Sequence, residues 1–241
     1  MSATDTARTA LARRREEPPT ATLLDLIERQ KPGIEAALAG AIGAERFARV
    51  VTTEIKRNPK LLECAPDTVL GCLMLSAQLV LEPGPLGHVY LVPFRNAGKM
   101  ECTFILGYRG MIELARRSDR LGLIRAATVY EGDLFEYEER QSGPKLLHRE
   151  CKPTDRGEII CDYALATVRV GPRMLVPHVR RLWPEELEAA RKRSQLGRKN
   201  EGPWQTDEIA MRHKTCVRRL AAYLPMTAHF ARALDADEGA V

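Results

Sequence analysis

Five carboxylates crowd into residues 131–139, namely Glu131, Asp133, Glu136, Glu138 and Glu139, the densest acidic group of this sequence. Such a group could hold two divalent metals for phosphodiester cleavage. Its alternation favours a simpler reading, because Glu136 and Glu138 leave one side of a strand while Phe135 and Tyr137 leave the other, as on a half-buried strand with a solvated face. Ser142 to Lys145 has the Ser-x-x-Lys spacing of an acylating site but sits in a Ser-Gly-Pro turn and lacks the partner motifs. Gly197 and Gly202 have the glycine spacing of a triphosphate-cradling loop, yet Pro203 follows where a lysine is needed. There is no His-Glu-x-x-His, and the five histidines lie far apart, so no zinc-ligand set is visible. Neither covalent catalysis nor nucleotide-driven work is expected, and no catalytic residue or metal site is assigned.

The basic residues are more informative. The net charge is only +5, but residues 86–130 carry seven basic against three acidic groups and residues 176–225 eleven against six. An excess gathered into two blocks suits a folded chain that presents one positive surface to a polyanion. In the first block, Arg95 and Lys99 flank the tip of a hairpin, and Tyr108 and Arg109 stand at the start of a helix whose free N–H groups suit phosphate. Met111, Leu114 and Ala115 form the inward stripe of that helix, which leaves Glu113, Arg116 and Arg117 outward. In the second block, Arg191 and Arg193 end a helix whose charge order the dipole explains, whereas Arg198 and Lys199 continue the charge into a loop. The last long helix places Ile209, His213, Cys216, Val217, Leu220 and Leu224 on one arc. Lys214 and Arg218 then fall on the opposite face, with Arg212 and Arg219 flanking the stripe; His213, on the apolar side, fits a hydrogen-bonded core histidine as well as a ligand.

The elements that must position these side chains can be read from periodicity. Residues 1–20 have none and are expected as a disordered tail. From 21 to 81 apolar residues recur every three or four, broken by Pro32, Gly33, Gly43, Pro59 and Pro66 into short helices, with Asp67–Leu81 as a buried central one. After Glu82-Pro83-Gly84-Pro85 the texture turns to strands at 88–94, 100–106, 121–131, 134–139, 145–150, 159–170 and 173–179, with the helix through Ser118 inserted. Helices at 184–196 and 206–224 follow, and 227–241 is expected as a short acidic tail. The expected class is therefore α+β: N-terminal helices, central antiparallel hairpins with an inserted helix, and basic C-terminal helices, with 21–226 forming one domain. The longest uncharged stretch, Thr68–Leu81, is too short to span a bilayer, and Arg13–Arg15 precede Glu and Pro rather than an apolar run. A cytoplasmic protein without membrane partners is expected, its six unevenly spaced cysteines reduced. Thirteen aromatic residues offer no obvious platform for stacking bases.

Two long segments carry a resemblance: Leu81-Glu82-Pro83-Gly84-Pro85-Leu86-Gly87-His88 with Tyr90 to Phe94, and Gly107-Tyr108-Arg109-Gly110-Met111 through Ser118. With Tyr130 to Asp133, Asp155 to Glu158, Gly202-Pro203-Trp204, Arg212-His213-Lys214 and Arg218-Arg219-Leu220, the chain resembles the RecT family of phage and prophage recombination proteins, relatives of Red beta, over roughly residues 45–226. The resemblance implies annealing of complementary DNA single strands without ATP, on a β-rich core with flanking helices, in rings or helical filaments. Arg95 and Lys99 match the family's basic hairpin, Tyr108 and Arg109 its Gly-Tyr-[Lys/Arg]-Gly motif, and Lys214 and Arg218 the basic positions of the helix after Gly-Pro-Trp. Family members commonly carry a longer C-terminal region that engages the host single-strand-binding protein; here the chain stops soon after Asp235, Asp237 and Glu238, which leaves that partner in doubt.

The expected function is thus DNA annealing by a homo-oligomer that grips single strands and the annealed duplex by their phosphates, beside a partner exonuclease in a bacterial cytoplasm. The DNA-binding set is Arg95, Lys99, Tyr108, Arg109, Arg116, Arg117, Arg191, Arg193, Arg198, Lys199, Trp204, Arg212, His213, Lys214, Arg218 and Arg219. No cofactor is required, and Mg2+ acts at most as a modulator of DNA binding. Replacing Lys214 and Arg218 by alanine is expected to weaken binding and leave the fold intact. The rivals are a metal-dependent nuclease built on the acidic run and a DNA-coating filament protein that does not anneal.

Overall fold

A computed structural model describes residues 22–141, 143–194, 203–225 and 227–238. The N-terminal third is helical: α1 (Leu23–Arg29), α2 (Lys31–Leu38), α3 (Ala44–Arg57), a 3-10 turn (Pro59–Glu63) and α4 (Pro66–Gln78). Thr22 caps α1 reciprocally, its hydroxyl accepting from Asp25 N–H at 3.3 Å while its own N–H donates to Asp25 Oδ2 at 2.9 Å. Pro32 and Pro66 stand in the first turns of α2 and α4, where a missing N–H costs nothing. Phe47, Val51 and Ile55 recur every four residues and are buried on α3; α4, as its composition predicts, is central and packs on α1, α2 and the strands that follow.

β1 (Val89–Asn96) and β2 (Lys99–Leu106) pair antiparallel through a two-residue turn, with Ala97 and Gly98 both at positive φ, the mirror-image turn that matches strand twist. α5 (Tyr108–Arg116) follows, then β3 (Leu121–Tyr130), the hairpin β4 (Leu134–Glu138) and β5 (Lys145–Arg149), β6 (Ile159–Arg169) and β7 (Leu175–Leu182). The larger sheet has the order β3-β6-β7, antiparallel throughout. Helices α6 (Pro184–Arg193), α7 (Pro203–Thr206), α8 (Glu208–Ala221) and α9 (Ala228–Glu238) complete the described chain. The fold is α+β, with N-terminal helices, antiparallel hairpins and C-terminal helices.

The alternation along β6 divides the molecule into layers. Ala164, Ala166 and Val168 face the main core beneath Cys216, Val217 and Leu220 of α8, while Cys161 and Tyr163 face Phe135 and Leu146 of the β4-β5 hairpin. Five of the six cysteines are buried and all six are free thiols, packed as small hydrophobes. No helix among the described residues is long and apolar enough to cross a membrane.

Two expectations are corrected. The strand expected at 173–179 starts and ends later: the Val170 N–H donates to the Met174 carbonyl at 3.1 Å, and β7 begins only at Leu175 and runs to Leu182. Residues 227–241 are not simply an acidic tail. Residues 228–238 form α9, which packs on β2 and α5 and buries Phe230, Ala233 and Asp237, because its apolar residues find a face left open by the hairpin.

Candidate nucleic-acid interface

The start of α5 is the best-assembled part of the expected interface. Gly107 and Gly110 let it pack directly on the loop after α4. A Cβ on Gly107 would lie 2.0 Å from the Gly87 carbonyl oxygen, and one on Gly110 would lie 2.3 Å from that of His88. The Gly107 N–H donates to the His88 carbonyl at 2.9 Å, which ties the two segments together. This close approach brings the exposed Tyr90 of β1 beside Arg109, both lying over Gly87, while the Tyr108 ring meets His213 of α8 edge-on at 6.1 Å. The Arg109 pKa is raised, chiefly by the neighbouring Tyr108 side chain, with Tyr90 and Asp207 adding to the shift. Burial pushes the Tyr90 phenol up as well, so a fixed cation stands beside a protonated phenol. Seven residues after Arg109, the exposed Arg116 returns to the same side of α5. Tyr90 was missed in the sequence, although its outward place between the inward Val89 and Leu91 is the signal that finds it.

The other expected side chains divide into exposed and engaged. Arg95 and Lys99 are exposed at the hairpin tip, Arg193 at the end of α6 and Arg219 on α8. None of these four, nor Arg109 or Arg116, forms an ion pair among the described residues. Arg191 is half-buried and pairs with Glu188. Arg198 and Lys199 lie outside the described residues.

Arg117 is exposed as expected, but it donates to the carbonyls of Leu79 and Val80 at 2.6 and 3.0 Å and so is engaged at the C-terminal end of α4. Four expectations are corrected by burial or by partners. Trp204 is core, 5% exposed. Arg212 is buried, with Nε 2.8 Å and Nη2 2.6 Å from Asp162 Oδ2, the second an ion-pair contact without hydrogen-bond alignment, and Nη1 3.3 Å from Glu208. Burial opposes its charge, but the two carboxylates prevail and its pKa is raised. Lys214 and Arg218 do not stand on a solvent face: Lys214 Nζ donates to Asp237 Oδ1 at 2.9 Å and Arg218 Nη1 to Oδ2 at 2.8 Å, and Oδ1 also accepts the Leu106 N–H. Burial pushes the Lys214 ammonium down, against the pull of Asp237. α8 is therefore covered on both sides, by the sheet and by Asp237 of α9, so the double alanine variant expected to leave the fold intact instead strips two donors from a buried carboxylate.

His213 is a half-buried, hydrogen-bonded histidine. Thr128 gives its only hydroxyl proton to Asp162 at 2.6 Å, so the 3.0 Å bond from His213 must be donated by Nε2–H. Burial lowers its pKa below the ordinary value near 6.5. The folded state then binds fewer protons than the unfolded one just below about pH 6.5, so the stability contributed by neutral His213 is complete above that pH and is lost as pH falls toward the folded value. Urea midpoints measured from pH 8 to pH 5 should fall, and His213→Gln should flatten that part of the profile; an unchanged slope would contradict the assignment.

The acidic run does not converge. Asp133 turns inward, where its buried carboxylate accepts from the backbone N–H of Cys151 and Tyr130 and contacts His148 Nε2 at 3.1 Å. Burial alone would raise its pKa, but these bonds hold it well below the usual carboxylate range. Glu136 and Glu138 face solvent from the other side of the strand, and no group of three or more His, Cys, Asp or Glu among the described residues could hold a metal.

Fold and site together define an α+β protein that displays cations from a hairpin tip and helix faces while its carboxylates are dispersed or engaged. The chain matches the RecT family over residues 45–240 and belongs to it, which makes it a DNA-binding protein of recombination and strand annealing. It is 38% identical over 213 residues to Protein RecT of Escherichia coli (strain K12), a match that covers 86% of this chain and 76% of that protein.

Proposed function

We propose that this protein anneals complementary single strands of DNA without hydrolysing a nucleotide, acting as a ring-forming or filament-forming homo-oligomer in a bacterial cytoplasm beside a partner exonuclease. The observation that carries this reading is the pair Arg109 and Arg116, exposed on one side of α5 and free of carboxylate partners among the described residues, with Arg109 set beside Tyr90. Two DNA strands repel each other, and cations that neutralise phosphates on a bound strand remove most of that barrier. Sequence is then tested by base pairing itself, so the protein needs no base-reading helix and no covalent chemistry. Arg95, Lys99, Arg193 and Arg219 extend the cationic surface. No cofactor takes part, and Mg2+ only modulates the affinity.

Complementary oligonucleotides mixed with the protein should anneal equally well with and without ATP. Replacing Arg109 and Arg116 by alanine should change stability by no more than about 0.5 kcal/mol per site, since both are exposed. Each lost phosphate contact should make the slope of log K against log salt shallower by roughly 0.7. A double variant with unchanged affinity and salt slope would remove α5 from the interface, and annealing that requires ATP would overturn the function.

A further inference from the structure

The chain has two tryptophans; Trp204 is buried, whereas Trp183, at the junction of β7 and α6, is 43% exposed. The backbone of Trp183 is fixed. Its N–H donates to Glu186 Oε2 at 3.0 Å, and its carbonyl accepts the Leu187 N–H at 3.1 Å. Its indole is backed by Arg181, whose guanidinium carbon lies 4.5 Å from the centre of the Trp183 ring and 4.9 Å from that of Tyr137 on β4. Arg181 is thus held by two aromatic rings, and among the described residues it makes no ion pair with a carboxylate. The carboxylates nearby are engaged: Glu186 by Arg180 and the Trp183 backbone, Glu139 by the Tyr137 hydroxyl.

An indole that is both solvent-open and held in place, with an uncompensated guanidinium behind it, suits an unstacked base on the ring and its phosphate on the cation. A duplex cannot use such a ring, because its bases already stack on one another. We propose that Trp183, backed by Arg181 and Tyr137, is a stacking platform for a base of single-stranded DNA; this rests on the annealing reading above. The platform fixes the orientation of a base in the bound strand, which phosphate contacts alone do not do. It also supplies the aromatic surface that the sequence conceals, since Tyr137, Arg181 and Trp183 come from two separate segments.

The test uses the whole protein and an oligothymidylate, read by intrinsic tryptophan emission and by the anisotropy of a labelled oligonucleotide. Binding should quench the emission. Trp183→Phe should remove the quench and keep most of the affinity, because a phenyl ring still stacks. Trp183→Ala should weaken binding about tenfold. A duplex of equal length should leave the emission unchanged. If the alanine variant misfolds, the phenylalanine variant still decides. Oligothymidylate binding with no change in emission, or a quench that survives in Trp183→Phe, overturns the platform and leaves the annealing reading standing. If the wild-type protein binds no single strand, the annealing reading falls and the platform with it.

Discussion

Asp162→Ala should destabilise the protein by roughly 3–5 kcal/mol, because it leaves the Arg212 charge buried without its main partner. Asp162 is fully buried and accepts from Arg212 and from the Thr128 hydroxyl, which in turn accepts from His213. The remaining carboxylate near Arg212, Glu208, is half exposed and 3.3 Å away, a weaker substitute. Replacing both members, Asp162→Ala with Arg212→Met, should recover much of the loss, since a buried ion pair exchanged for apolar side chains is often nearly neutral. Urea unfolding of the two single variants and the double variant measures the coupling. Additive losses would mean that the pair does not act as a unit. Arg212 falls within a segment that resembles the family, and an alanine scan would score it as important for DNA; this cycle separates loss of fold from loss of binding.

Gly110→Ala sets two effects of opposite sign against each other. Alanine is favoured over glycine inside a helix by up to about 1 kcal/mol, so α5 alone would gain. The new methyl, however, would lie 2.3 Å from the His88 carbonyl oxygen and 2.9 Å from Leu106 Cδ1. The carbonyl belongs to backbone tied to Gly107, and Leu106 is fully buried, so neither can simply swing aside. Overpacking of this kind typically costs about 1–3 kcal/mol, and the steric term should win. The variant should unfold at lower urea and lose single-strand affinity as Arg109 is displaced from Tyr90. By contrast, Gly43→Ala, where nothing lies within 4 Å of the added atom, should leave both properties close to wild type. Equal stability of the Gly110 variant and the wild type would show that the loop and helix are not in firm contact.

Local pattern by itself determined much of this protein. The α+β order, the Arg95–Lys99 hairpin tip, the central α4 and the helix that carries Arg109 and Arg116 were legible because each depends on turn chemistry and on the period of apolar residues within one segment. The exposed part of the candidate interface was legible for the same reason: a cation outside an apolar stripe stays outside if nothing else covers it. Tertiary structure decided whether something does. Lys214 and Arg218 stand opposite the apolar stripe of α8, yet Asp237, on a helix that reads as a tail, covers that side. Arg117 meets carbonyls nearly forty residues earlier, and Arg212 meets Asp162 of β6, fifty residues away. Trp183, Arg181 and Tyr137 likewise become a surface only when β4 lies beside β7. Amphipathic periodicity gives the direction of a side chain relative to its own element; its burial depends on the element that packs against it, and that partner is specified by residues far away in the chain.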